Sequence, residues 1–150
     1  MLCICIQHSF AATPTFKLID KTFEDGGDDE PSYTTYRYQS NLQPLQVKYV
    51  YRHNIDLEQD ELTIQLDPQD TINTKIYGLL SIHDGLRFLP LLHLQNITLD
   101  PHCQYTGHAE VQINEVEMVL NEAAGDADAL IDLKSFRPLT SPEKSCPSDA

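Results

Sequence analysis

The 150-residue sequence predicts an all-β fold, a small antiparallel β-sandwich or barrel. Three observations predict it. Apolar side chains recur at every second position in several short runs, the spacing that gives an extended strand one dry face. Clusters of Gly, Pro, Asn and Asp separate these runs at intervals of about 8–12 residues. The composition, 41% apolar and 22% charged, is that of a folded chain, and this length suits one domain burying roughly 68–70% of its unfolded surface.

Taken in order, Thr15 to Thr22 reads as a strand with Phe16 and Leu18 on one face. Glu24-Asp25-Gly26-Gly27-Asp28-Asp29-Glu30-Pro31 is a loop, because two glycines, a proline and five acids cannot be packed. Ser32 to Ser40 resumes, with Tyr36 and Tyr38 sharing a face. Leu45-Val47-Tyr49-Tyr51 alternates with Gln46, Lys48, Val50 and Arg52, the pattern of a half-buried strand. His53 to Asp60 is polar and connects it to Glu61–Leu66, where Leu62, Ile64 and Leu66 share one face. Asp67-Pro68-Gln69-Asp70 then turns the chain.

Lys75 to Ile82 and Leu86 to Leu94 flank Asp84-Gly85, a pair suited to a two-residue hairpin, and their apolar density makes them the expected heart of the core. Pro90 makes the second arm an edge strand, a bulged strand or one that breaks there, and it opposes the alternative of a helix over Leu86 to Leu94. Ile97 to Leu99 begins a further strand. His108 to Ile113 alternates until Asn114-Glu115, where the parity changes; a β-bulge accounts for that shift, and a short helix near 115–124 is the alternative. Ala129-Ile131-Leu133 is the last strand, ending near Pro138. Residues 13–140 thus form the domain and 141–150 a polar tail.

The amino terminus carries the expectation about location. Met1 to Ile6 is wholly apolar, and Gln7, His8 and Ser9 and then Phe10-Ala11-Ala12 follow, with Ser9-Phe10-Ala11 fitting the small-x-small cleavage rule. Pro14 comes just beyond, and no side chain before Lys17 has a formal charge. That is the end of a secretory signal peptide over 1–12, truncated, since a basic stretch is lacking. The alternative is a buried first strand over residues 2–6. No run approaches the ~20 apolar residues of a spanning helix. With Cys3 and Cys5 lost in the leader, Cys103 and Cys146 remain to form one disulfide, worth roughly 3–4 kcal/mol on a chain-entropy argument. A periplasmic or secreted location permits it.

The formal charge of -13 repels phosphate backbones and anionic lipid head groups, which excludes a nucleic-acid partner and leaves a basic protein open. His93, His102 and His108 with Asp100 and Cys103 lack the tight ligand pair of a zinc site. The acidic loop lacks the alternation of an EF-hand. No nucleophile elbow, His-Glu-x-x-His or phosphate loop occurs, so no catalytic residue, metal or cofactor is assigned. Acid pairs such as Glu58 with Asp60 and Glu115 with Glu117 share strand faces but need a cleft to do chemistry. Asn96-Ile97-Thr98 matches the glycan acceptor pattern. Tyr36, Tyr38, Tyr49, Tyr51 and Arg52 form the candidate binding set, because tyrosine ladders offer contact area at small entropic cost. Cross-strand packing is the competing role. The resulting expectation is an exported, non-enzymatic protein that binds or inhibits a basic protein of the cell envelope. A pilus, adhesin or envelope subunit, and a small metal-binding protein or hydrolase, are the alternatives.

Overall fold

A computed structural model describes residues 13–67 and 78–147. The expected leader over 1–12, with its Cys3 and Cys5, lies outside the described residues, as do the turn at 68–70, the start of the strand at 75–77, and 148–150. The strands are β1 (Phe16–Glu24), β2 (Tyr33–Ser40), β3 (Leu45–Asn54), β4 (Gln59–Leu66), β5 (Gly78–Ile82), β6 (Gln104–Asn121), β7 (Ala127–Pro138) and β8 (Glu143–Ser145). One 3-10 helix, Gly85–Leu92, lies between β5 and β6.

The alternation of apolar residues becomes a closed five-stranded barrel. The meander β3-β4-β5 and the hairpin β6-β7 form its wall; β3 pairs with β6, and β5 pairs with β7. The expected all-antiparallel arrangement is corrected at one seam, where β5 runs parallel to β7 through Ser81↔Leu130 and Ile82↔Ile131. Closure demands it, because five strands cannot alternate in direction all the way round a barrel, and β7, antiparallel to β6, runs the same way as β5. Sealing the sheet on itself removes the edges that a flat sheet of these strands would expose.

The residues spaced by two fill the interior. Val47, Tyr49 and Tyr51 from β3 meet Leu62, Ile64 and Leu66 from β4, and Ala109, Val111 and Ile113 from β6 meet Ile131, Leu133 and Phe136 from β7. Each large aliphatic buried here contributes roughly 1.5–3 kcal/mol. The parity change at Asn114 is a bulge: pairing with β7 shifts between Gln112 and Ile113 and again between Ile113 and Glu115. Ile113 and Val116 both face the dry side as a result, at 1% and 0% exposure. The helix alternative near 115–124 is corrected, since the strand runs on to Asn121.

The expected strand over Leu86–Leu94 is also corrected: it is the 3-10 helix, with Pro90 inside it. Asp84 takes the left-handed backbone that a tight hairpin needs, φ 49°, but Gly85 does not follow. Gly85 is tightly packed instead: a Cβ there would lie 3.1 Å from the Ile82 Cβ and 3.2 Å from the Leu62 carbonyl oxygen, so a side chain would need its neighbours to give by a few tenths of an ångström. Phe88, Leu89 and Leu92 are buried, and Phe88 stacks on Phe136 at 5.3 Å between centroids. Arg87 donates to the Leu133 carbonyl at 2.8 Å. One helical face therefore lids the barrel, and eight residues are too few for Pro90 to be prohibitive.

Three smaller corrections follow from pairing. Residues 53–60 are shorter as a connection than expected, because His53↔Asp60 and Asn54↔Gln59 extend the hairpin. Ile97–Leu99 forms no strand, though Leu99 is buried. The tail is partly structured: β8 pairs with Gln104–Thr106, and Cys146 is bonded to Cys103 at 2.08 Å.

Tyr49 shows how tightly the barrel is filled. A Cβ on Gly107, its partner across β6, would come within 2.3 Å of the phenol oxygen. Gly107→Ala is therefore expected to lower unfolding free energy by about 1–3 kcal/mol in a urea titration, through overpacking. A stability equal to that of the parent would show the ring to have room to move.

Candidate functional site

Besides β8, two of the described strands, β1 and β2, stand outside the barrel. β2 takes over the edge of β6 that β3 leaves: β3 pairs with β6 as far as Val111, and β2 pairs with it from Glu115 to Asn121. β1 pairs in turn with β2. β1, β2, the lower part of β6 and the first half of β7 make a four-stranded wing. Period-two alternation gives this wing two chemically distinct faces.

The inner face continues the core. Leu18↔Tyr38↔Val116↔Ile131 and Lys21↔Tyr36↔Met118↔Ala129 are two of its rows. Tyr36 and Tyr38 stack at 6.5 Å with planes 18° apart, and the Lys21 ammonium lies 5.4 Å from the Tyr36 ring. Burial, then the neighbouring Tyr36, raises the pKa of Tyr38 above the ordinary phenol value. Farther out, Leu18 and Phe23 remain 46% and 62% exposed.

The outer face is charged. One row reads Asp20↔Arg37↔Glu117↔Leu130↔Ser81, and the next Gln39↔Glu115↔Asp132. Arg37, Glu115, Glu117, Leu130 and Asp132 line an open groove of about 580 Å³ together with His83, whose amide donates to Ile131. Arg37 donates to Glu115 at 2.9 Å. That hydrogen bond first, then the charge of Glu115, raises the guanidinium pKa further, with smaller contributions from Asp20 and Glu117. Glu115 sits directly opposite Asp132, a like-charge pair that costs stability in a sheet. Asn114 donates to Asp132 at 2.9 Å, which satisfies the carboxylate without neutralising it.

The loops at the lower end of the wing add to this charge. Glu122 N–H donates to the Ser32 carbonyl at 3.1 Å, and the Thr34 hydroxyl donates to the Glu122 carboxylate, so the β1–β2 and β6–β7 loops lie side by side. Glu24 at the end of β1 and Asp25, Asp28, Asp29 and Glu30 in the first loop are joined by Glu122 and Asp126 in the second and Asp128 at the start of β7. Residues 16–40 and 115–132 hold twelve carboxylates against Lys17, Lys21 and Arg37, nine of the thirteen excess negative charges of the chain.

The expected binding set is divided by this arrangement. Tyr36 and Tyr38 lie on the wing. Tyr49 and Tyr51 point into the barrel at 0% and 3% exposure, where Tyr49 meets Phe136 at 5.7 Å and Tyr51 meets Tyr105 at 6.5 Å. Burial raises both of their pKa values, and Asp60 adds to the shift of Tyr51. They are core residues. Arg52 lies on the barrel's outer surface, held at 3.3 Å by Glu61, which also accepts from Asn54 and Ser81. Glu58 has a left-handed backbone in the β3–β4 turn, and Asp60 is bonded to His53 at 2.8 Å. His93, His102 and His108 are exposed and Cys103 is in the disulfide; among the described residues no group of three or more His, Cys, Asp or Glu is arranged to hold a metal ion. Asn96, Ile97 and Thr98 are exposed.

Glu115 and Glu117 were legible as a same-face pair. Arg37, Asp132 and His83 required the strand order, since their separation in sequence exceeds any local pattern. No protein-family model matches the chain, and no curated protein or solved structure matches it.

The facing carboxylates give a direct test. Asp132→Asn keeps the bond from Asn114 and removes the repulsion from Glu115. It is expected to raise unfolding free energy by about 0.2–1 kcal/mol in urea at neutral pH, with the gain shrinking in high salt. A loss of stability would mean that the carboxylate has a cationic partner within the fold.

Proposed function

We propose that this protein is a non-enzymatic binding module whose acidic wing recognises a basic protein, in the periplasm or outside the cell. The observation that carries the reading is the segregation of charge: nine of thirteen excess negative charges lie on two segments that fold into the four-stranded wing of the one sheet. Clustered charge of one sign steers an oppositely charged partner and raises its association rate. The groove beside Glu117 and Asp132 suits a Lys or Arg side chain, which would relieve the repulsion between Glu115 and Asp132. Export is part of the proposal, supported by the Cys103–Cys146 bridge, since such bonds persist in oxidising compartments. Inhibition of the partner would follow if the wing covers the partner's own functional surface.

The experiment is an NMR titration with lysozyme, a small basic protein, at 50 and 150 mM salt. Shift changes are expected in residues 16–40 and 115–132. The double change Glu117→Lys with Asp132→Lys should weaken binding by about tenfold or more. Asp56→Lys with Glu58→Lys, an equal change of charge in the β3–β4 turn, should weaken it by about twofold at most. Equal losses from the two pairs, or shifts confined to the barrel, would defeat the reading.

A further inference from the structure

We propose that β1 is a docking edge: an extended segment of the basic partner, alternating apolar residues with Lys or Arg, adds to the wing as a fifth strand beside it. The inference rests on the acidic wing being the binding surface and specifies how that surface is read. Among the described residues β1 is paired along one side only, with β2, and all eight residues after Phe16 are exposed. An open edge of this kind offers main-chain donors and acceptors to an incoming strand, while alternate side chains supply specificity.

The two faces at that edge define the incoming sequence. On one, Leu18 and Phe23 present apolar surface on either side of Lys21, whose ammonium lies over the Tyr36 ring. On the other, Asp20 leads across Arg37 to Glu117, Glu24 ends the strand on the same face, and Asp25, Asp28, Asp29 and Glu30 follow at once in the chain. A strand beside β1 must point successive side chains to opposite faces. Apolar residues would then rest against Leu18 and Phe23, and cations against Asp20 and Glu24.

The edge is also selective. The pairing of β1 with β2 shifts between Leu18 and Asp20, leaving Ile19 as a bulge, and the Asp20 carboxylate accepts the Lys21 amide at 2.9 Å. Bulges and edge lysines discourage indiscriminate strand pairing. Beyond the bulge, Asp20–Glu24 is regular, so the incoming strand pairs with about five residues. A second copy of this chain is the poorer occupant, because it would bring together two wings that each carry nine excess negative charges.

The test uses the whole protein and synthetic ten-residue peptides: one alternating valine and lysine, one alternating serine and lysine, and two valine–lysine versions N-methylated on alternate residues. The valine–lysine peptide should bind and slow hydrogen exchange of amides within 20–24. The serine–lysine peptide, and one of the two N-methylated versions, should bind at least about tenfold more weakly. Phe23→Asp should weaken the valine–lysine peptide and leave the serine–lysine peptide within about twofold. Equal binding of all four peptides to the wing would overturn strand addition while leaving the acidic binding surface intact. Binding of none at low salt would overturn both. Protection of 20–24 by added copies of the protein itself would assign the edge to self-assembly and overturn the proposal.

Discussion

The structure depends on one strand being paired along both edges. β6 has β3 and then β2 on one side, and β8 and then β7 on the other, so its 18 residues belong first to the barrel and then to the wing. A straight ribbon of alternating residues could not serve both. The bulge around Asn114 absorbs one residue, keeps Ile113 and Val116 on the dry side, and lets the strand bend as it changes neighbour. Without that bend the charged face of the wing would have no rigid support.

Support and function separate accordingly. The barrel holds the large buried side chains, the helical lid and the disulfide. The wing carries charge at a density that costs stability, as the facing pair Glu115 and Asp132 illustrates. Arg37 neutralises one member of the pair, and Asn114, next to the bulge, satisfies the other. Carboxylates crowded on an ordered surface are a cost that a cationic partner can relieve, and this is why the wing, rather than the buried tyrosines, is the surface proposed for recognition.

Much of the fold was legible because period-two alternation is a local signal. Each strand from β1 to β4, the bulge at Asn114 and the bridge between Cys103 and Cys146 could be read from nearby residues or cysteine number. The helix over Gly85–Leu92 was misread, since Asp-Gly and a proline speak for a hairpin. What decides the matter is that Phe88, Leu89 and Leu92 cover the barrel end, a tertiary fact. The parallel seam between β5 and β7 was hidden for the same reason. Of the site, the acidity and the pair Tyr36 and Tyr38 were visible. Tyr49 and Tyr51 showed the same pattern but are fully buried, because the barrel closes over their inward face while the matching face of the wing, with Tyr36 and Tyr38, stays half open. The meeting of Arg37 with Glu115, 78 residues apart, had no local signature.

Native-state hydrogen exchange, resolved by residue, tests the claim that β6 is one continuous support. Amides of residues 115–121 should open with the same free energy as those of 104–111, with β1 opening at lower cost than either. Exchange of 115–121 together with β1, well before 104–111, would show the wing to be an appendage that melts independently of the barrel, and the account would be wrong at its foundation.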